Sequence, residues 1–215
     1  MAGPRQNTVT PEGAIVATAL RGSWLGNRGI LHDGIGDRAE VVRLHRGPLW
    51  IICALRHKDW RLPQWQPGHF TVLFFHDEAV ALAAGHRPCA LCRRPAYDAF
   101  RSAWVAGNGG PIPRAYAMDR QLHEERLLPR TRTKRTHQAD WPSLAAGAFV
   151  RLADGAPALV LDDRLVPWAR ATGYAKPVPR PRAGSVVVLT PRSTVSAIRA
   201  GYVPQIDPRA GLPSD

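Results

Sequence analysis

Cysteine is scarce in this chain, with three in 215 residues, and so are methionine, with two, and tyrosine, with four. Three thiols cannot build a disulfide framework, so the fold must rest on a packed core or on a metal. Apolar runs are short: none approaches the roughly 18 residues that a membrane-crossing helix requires. The opening MAGPRQNTVTPEGAIVATAL carries a Pro and an acidic residue before a brief apolar patch, a poor secretory signal, so a reducing cytoplasmic setting is expected. Acidic residues are also short, 17 against 29 Lys and Arg, for a net charge of +12. Such a field draws in polyanions, and nucleic acid is the first partner it suggests, with no membrane and no protein partner implied. Several enzyme classes lack their signatures. There is no H-E-x-x-H, no H-N-H and no D-x-D.

With 45% hydrophobic and 21% charged residues the composition is globular. AIVATA (14–19), LWIICAL (49–55) and FTVLFF (70–75) read as strands, and Asp77 is placed to cap a helix that Gly85 ends. After CALC, Pro95 can enter a first helical turn, and Tyr97, Phe100, Ala103 and Trp104 recur at helical spacing. GNGGPIP is the best boundary in the chain. Beyond it, AYAMDRQLHEERLL predicts a helix with Met118, Leu122 and Leu127 inward. A hairpin is expected around Asp154-Gly155, KPVPRPRAG (176–184) reads as an extended basic linker, and Thr190 should cap a final helix opened by Pro191. The expected fold class is α+β. A small zinc-stapled α/β subdomain (1–108) would precede a basic, β-rich part (109–215), with one continuous domain as the alternative.

C-x-x-C at Cys89 and Cys92 suits either a redox pair or a metal knuckle. The flanks GHRPC are unlike a thioredoxin-type junction, so metal is the better reading if two more ligands exist. Cys53 and His57 supply C-x-x-x-H, and Cys₃His is an acceptable closed tetrahedral zinc site. His32, His76 and His86 compete with His57, and Cys53 could instead be a buried apolar residue. His76-x-Glu78 followed by P-C-x-x-C imitates a zinc-deaminase signature, but its halves lie too close together in sequence.

These residues resemble a known family. FTVLFFHDEAVALAAGHRPCALCRRPAY, preceded by IICALRH, is similar to the zinc domain of Ada-type DNA methylphosphotriester repair proteins, over about residues 49–95. Cys53 falls on that family's first cysteine, and Cys89 and Cys92 on its C-x-x-C pair. The resemblance implies an α/β zinc domain that holds DNA, with Cys53 at the position of the methyl-accepting thiolate. One departure matters, because His57 stands where the family has its second cysteine. Three thiolates and an imidazole leave a zinc site less negative than four thiolates would, so Cys53 should accept methyl groups less readily and the Zn²⁺ should be a structural staple. Arg87, Arg93 and Arg94 would then face phosphate.

Chemistry would have to come from elsewhere. GNRGILHDG (26–34) gathers Asn27, Arg28, His32 and Asp33, and a carboxylate beside an imidazole suits cleavage of an N-glycosidic bond. His137, with Asp140, follows a dense basic run holding Arg130, Arg132, Lys134 and Arg135. Trp24, Trp60, Trp65 and Trp141 could stack on an extruded base. The expectation is therefore a zinc-containing DNA-binding protein that processes modified or damaged DNA, with a glycosylase hydrolysing the N-glycosidic bond of a modified base as the leading reading. Methyl transfer to Cys53 and a non-enzymatic DNA-binding module are the alternatives.

Overall fold

The computed structural model describes residues 3–62, 64–131 and 133–211. The first half contributes β1 (Gln6–Val9), β2 (Ile15–Ala17), β3 (Trp24–Asn27), β4 (His32–Asp33), β5 (Glu40–Val41), β6 (Ile51–Cys53), β7 (Leu73–Phe75), α1 (Glu78–Ala83), β8 (Arg87–Pro88) and α2 (Arg94–Asn108). The second contributes α3 (Ala115–Arg126), β9 (His137–Asp140), β10 (Phe149–Arg151), β11 (Pro157–Val160), β12 (Arg164–Ala169), β13 (Gly173–Tyr174), β14 (Val178–Pro179), β15 (Ser185–Val188) and α4 (Arg192–Arg199). This is a mixed α+β architecture, as the sequence led us to expect. Its first sheet runs β2-β1-β7-β3-β6-β8, its second β13-β12-β11-β10-β15-β9 with β14 beside β12, and β4 and β5 form a separate ribbon.

At the centre lies α1. Asp77 caps it, accepting from the Val80 amide at 2.9 Å, and all six helical residues are buried. A short Ala-rich helix that is apolar nearly all round can only sit between layers. Val9, Ile52, Leu73 and Phe75 of the first sheet share one buried cluster with Phe149, Leu159 and Val166 of the second. On the second sheet's other face, Val150, Val160 and Val188 pack on Trp141, Leu144 and Val195. Both faces are thus covered, which is why these strands read as apolar runs without alternation.

The 76–78 triplet is structural. His76 Nδ1 accepts from Trp168 at 3.1 Å, Asp77 accepts from Tyr174 Oη at 2.7 Å, and Glu78 accepts from Tyr202 Oη at 2.6 Å and the Gln205 amide at 2.9 Å. These bonds fasten β12, β13 and the C-terminal segment to the start of α1. Two local expectations are corrected. Thr190 does not cap α4: its hydroxyl accepts from the Phe149 amide at 2.9 Å, and the cap comes from Glu125 of α3, which accepts from the Ser193 amide at 2.9 Å. KPVPRPRAG is not a free linker, because β14 pairs with β12 and Arg180 donates to the carbonyls of Leu161 and Leu144. His137–Asp140 is a strand that the basic run masked in the sequence.

Candidate metal centre

Cys53 ends β6, and β8 runs parallel beside that strand, so the chain leaves the sheet at Cys89 next to it. The Cys89 amide donates to the Ile52 carbonyl at 2.9 Å, and Cys92 lies in the turn that leads into α2. The ligand atoms of Cys53, Cys89 and Cys92 all lie within 4.8 Å of one another. Two amides orient the sulfurs: Leu91 donates to Cys89 Sγ and Ala54 to Cys92 Sγ, each at 3.4 Å. Hydrogen bonds from the Cys53 and Cys92 thiols pull Cys89 down to about 2, while the contact with Cys89 pushes Cys53 far above the ordinary thiol range. Three sulfurs this close, partly buried, could hold a metal ion, and a bound cation would favour the thiolate at all three.

His57 borders the same cavity of about 160 Å³ as the three cysteines, together with Asn27 and Trp60. Its Nε2 is buried without a hydrogen-bond partner, and its ring packs edge-on against Trp60 with centroids 5.1 Å apart. The structure therefore brings three of the four expected ligands to ligand spacing and places the fourth on the wall of their cavity. The competing imidazoles are engaged elsewhere. His32 contacts Thr71 Oγ1 at 2.6 Å, His76 contacts Trp168 and Asp207, and His86 Nε2 accepts from Arg28 at 3.1 Å.

The polar loop does not form a catalytic pair. His32 is buried, its second ring nitrogen lies 3.3 Å from the Gln66 carbonyl, and neither nitrogen is free to take a proton from water. Asp33 is exposed on the β4–β5 ribbon and accepts from the Gly34 amide at 2.9 Å. Asn27 accepts from the Gly29 amide at 2.7 Å, and Arg28 is fully buried. His137 opens β9, in the other sheet, where burial and then the charges of Arg192 and Lys134 lower its pKa to about 4.

The arginines beside the cysteines divide by burial. Arg87 forks onto Asp119 at 2.9 and 2.8 Å, and Arg93 pairs with Glu78 at 2.8 Å while lying 3.8 Å over the Trp24 ring. Both are core ion pairs and do not face phosphate. Arg28 likewise donates inward, to Gly13 O at 2.9 Å. Arg94 is exposed with Asp98, and Arg130 and Arg135 are exposed. Lys134 turns its ammonium inward to the Ala83 carbonyl, and Arg132 lies outside the described residues. Trp65 and Trp141 are buried and Trp24 is half-covered, whereas Trp60 is 55% exposed. Around Trp60 stand Arg56, Lys58 and Arg61, all exposed. Arg56, Lys58 and Arg61 were not among the expected DNA contacts; their signal was RHKDWR, basic residues about a tryptophan shortly after Cys53.

Fold and site together define an α+β protein whose first sheet carries a three-cysteine centre able to hold a metal ion. Compared with protein-family models, curated proteins and solved structures, the chain matches none.

Proposed function

We propose that this protein binds DNA through the loop that its metal centre anchors, with zinc held by Cys53, Cys89, Cys92 and His57 as a structural staple. The observation that carries this reading is the exposed Trp60 among Arg56, Lys58 and Arg61, beside the cysteine cavity. Cations supply salt-dependent attraction to the phosphate backbone, and a solvent-facing indole supplies a stacking platform that accepts any base. Thiolates are the natural choice for Zn²⁺, and a closed site of this kind contributes folding free energy directly. Binding is the part of the expected function that the geometry supports best. Base excision by Asp33 and His32 is supported less, since the His32 ring is spent on Thr71 and Gln66.

The test is fluorescence anisotropy with single- and double-stranded oligonucleotides across a salt series. Trp60→Ala should cost about 1–3 kcal/mol of single-strand affinity. Replacing Arg56, Lys58 and Arg61 together should flatten the slope of log affinity against log salt by about 2–3. Unchanged slope and affinity in both variants would remove the reading. Abasic sites appearing in a panel of modified duplexes would add the glycosylase activity to it.

A second reading rests on Cys53 being half-exposed on the cavity wall. Its thiolate would attack the methyl carbon of a phosphotriester, forming S–CH₃ as the C–O bond breaks and a phosphodiester leaves. Mass spectrometry after exposure to methylated DNA should then find one methyl group on Cys53, and finding none excludes it.

A further inference from the structure

Near the C-terminal end of α1, bordered by Ala84, lies another cavity of about 250 Å³. Arg28, Trp50, Arg126 and Lys134 border it, with Glu12 and Gly13 of the β1–β2 turn opposite. The guanidinium carbons of Arg28 and Arg126 each lie 3.9 Å from the centre of the Trp50 ring. Both arginine side chains are completely buried.

Their donors are only partly used. Arg28 gives Nε to His86 at 3.1 Å and Nη1 to the Gly13 carbonyl at 2.9 Å and the Leu44 carbonyl at 3.5 Å, and its Nη2 is buried with no partner. Arg126 gives Nη1 to the Gly85 carbonyl at 2.7 Å and Nη2 to the Pro48 carbonyl at 2.5 Å, with His123 Nδ1 3.1 Å from the same Nη2, and its Nε is buried with no partner. Lys134 spends one N–H on Ala83 O and retains two. The carbonyls at the end of α1 offset part of this charge, as a helix C-terminus does for cations, but they leave those donors unused.

No carboxylate among the described residues forms an ion pair with any of the three cations. The nearby Glu12 is committed to Arg151 at 2.9 Å. Arg87 and Arg93, the other buried arginines, each have a carboxylate. Gathering cations in a dry site without a counter-charge is costly unless an anion joins them.

We infer that this cavity is a binding site for a small oxyanion, a phosphate free or carried as a monoester, held by Arg28 Nη2, Arg126 Nε and Lys134 Nζ. A planar guanidinium fork matches tetrahedral oxyanions, and an ammonium adds a point charge. Leu44, Trp50 and Leu127 supply an apolar part of the wall, beside Thr131 and Thr133, and would take the organic part of a monoester. This inference stands apart from the DNA reading, since its residues are not those of the Trp60 loop.

The experiment is calorimetric titration of the full chain with inorganic phosphate and, separately, with phenyl phosphate, against sodium chloride at equal ionic strength. Saturable binding with half-saturation at about 1 mM or tighter is expected for at least one probe. Saturation by inorganic phosphate points to the free anion as ligand, and saturation by phenyl phosphate alone points to a monoester; both support the site. Lys134→Met, at the half-buried rim, should weaken binding roughly tenfold, about 1.4 kcal/mol. Arg28→Met should abolish it, and if that variant does not fold, Lys134→Met alone decides. Binding no different from chloride in a protein shown folded by circular dichroism overturns the inference. So does a Lys134→Met protein that binds as the wild type does. The Arg56, Lys58 and Arg61 variant should bind phosphate unchanged, which separates this site from the nucleic-acid surface.

Discussion

Replacing Arg87 by Met separates two accounts of the arginines beside the cysteines. As a phosphate contact, Arg87 would affect DNA affinity and leave stability alone. The structure instead forks it onto Asp119 at 2.9 and 2.8 Å, with the two side chains only 3% and 2% exposed. Removing one partner from such a pair leaves a buried charge uncompensated and costs about 3–5 kcal/mol. Burial already pushes the Asp119 carboxyl up and Arg87 opposes that shift, so without Arg87 the carboxyl would be pushed further up. In a chain of this length the Tm should fall by about 6–20 °C. Urea unfolding followed by the fluorescence of the seven tryptophans reads this directly. Arg87→Met/Asp119→Leu should regain most of the loss, since apolar replacement of a whole buried pair is often neutral. Arg94→Ala, which removes an exposed pair with Asp98 one helical turn away, should cost at most about 0.5 kcal/mol. A loss below about 1 kcal/mol for Arg87→Met, or weaker DNA binding at unchanged stability, would refute the core-pair account.

Three further outcomes are expected. Elemental analysis should find about one zinc per chain, and Cys89→Ser should lose the metal and much of the fold's stability, because a structural zinc site contributes its binding free energy to folding. His137, lowered to about 4 by burial, charges more easily in the unfolded chain than in the folded one, so stability should fall as pH drops from about 6.5 to about 4. Screening of this half-exposed ring limits the loss to about 1–2 kcal/mol, and His137→Gln should flatten that stretch of the pH–stability curve. Gly107→Ala would gain about 1 kcal/mol from helix propensity alone, yet its Cβ would stand 2.2 Å from the Ser196 carbonyl oxygen of α4. Thermal melting should show net destabilisation as α2 and α4 are forced apart.

The sequence made some elements plain because their causes are local. The Asp77 cap, the helical spacing of Tyr97, Phe100 and Trp104, and the Asp154-Gly155 turn, with Gly155 at φ 90°, each depend on near neighbours. Residues with distant partners were not legible. Nothing local marks Glu125 as the cap of α4, or Asp119 as the partner of Arg87. Cys53 joined Cys89 and Cys92 as the chain's one other thiol and by its place in the Ada-type resemblance, and the parallel pairing of β6 with β8 is what brings these sulfurs within 4.8 Å of one another.

Charge shows the same division most clearly. The sequence by itself determined that the chain is basic, globular, mixed α+β and equipped with three cysteines that can approach one another, since composition, period and turn chemistry are properties of the chain. Only the tertiary structure decided which arginines are surface and which are core. Arg28, Arg87, Arg93 and Arg126 read in one dimension like any other arginine, yet burial forces each to find a carboxylate, a carbonyl or an aromatic face within the protein. Arg56, Lys58 and Arg61, which burial left alone, remain available to a partner.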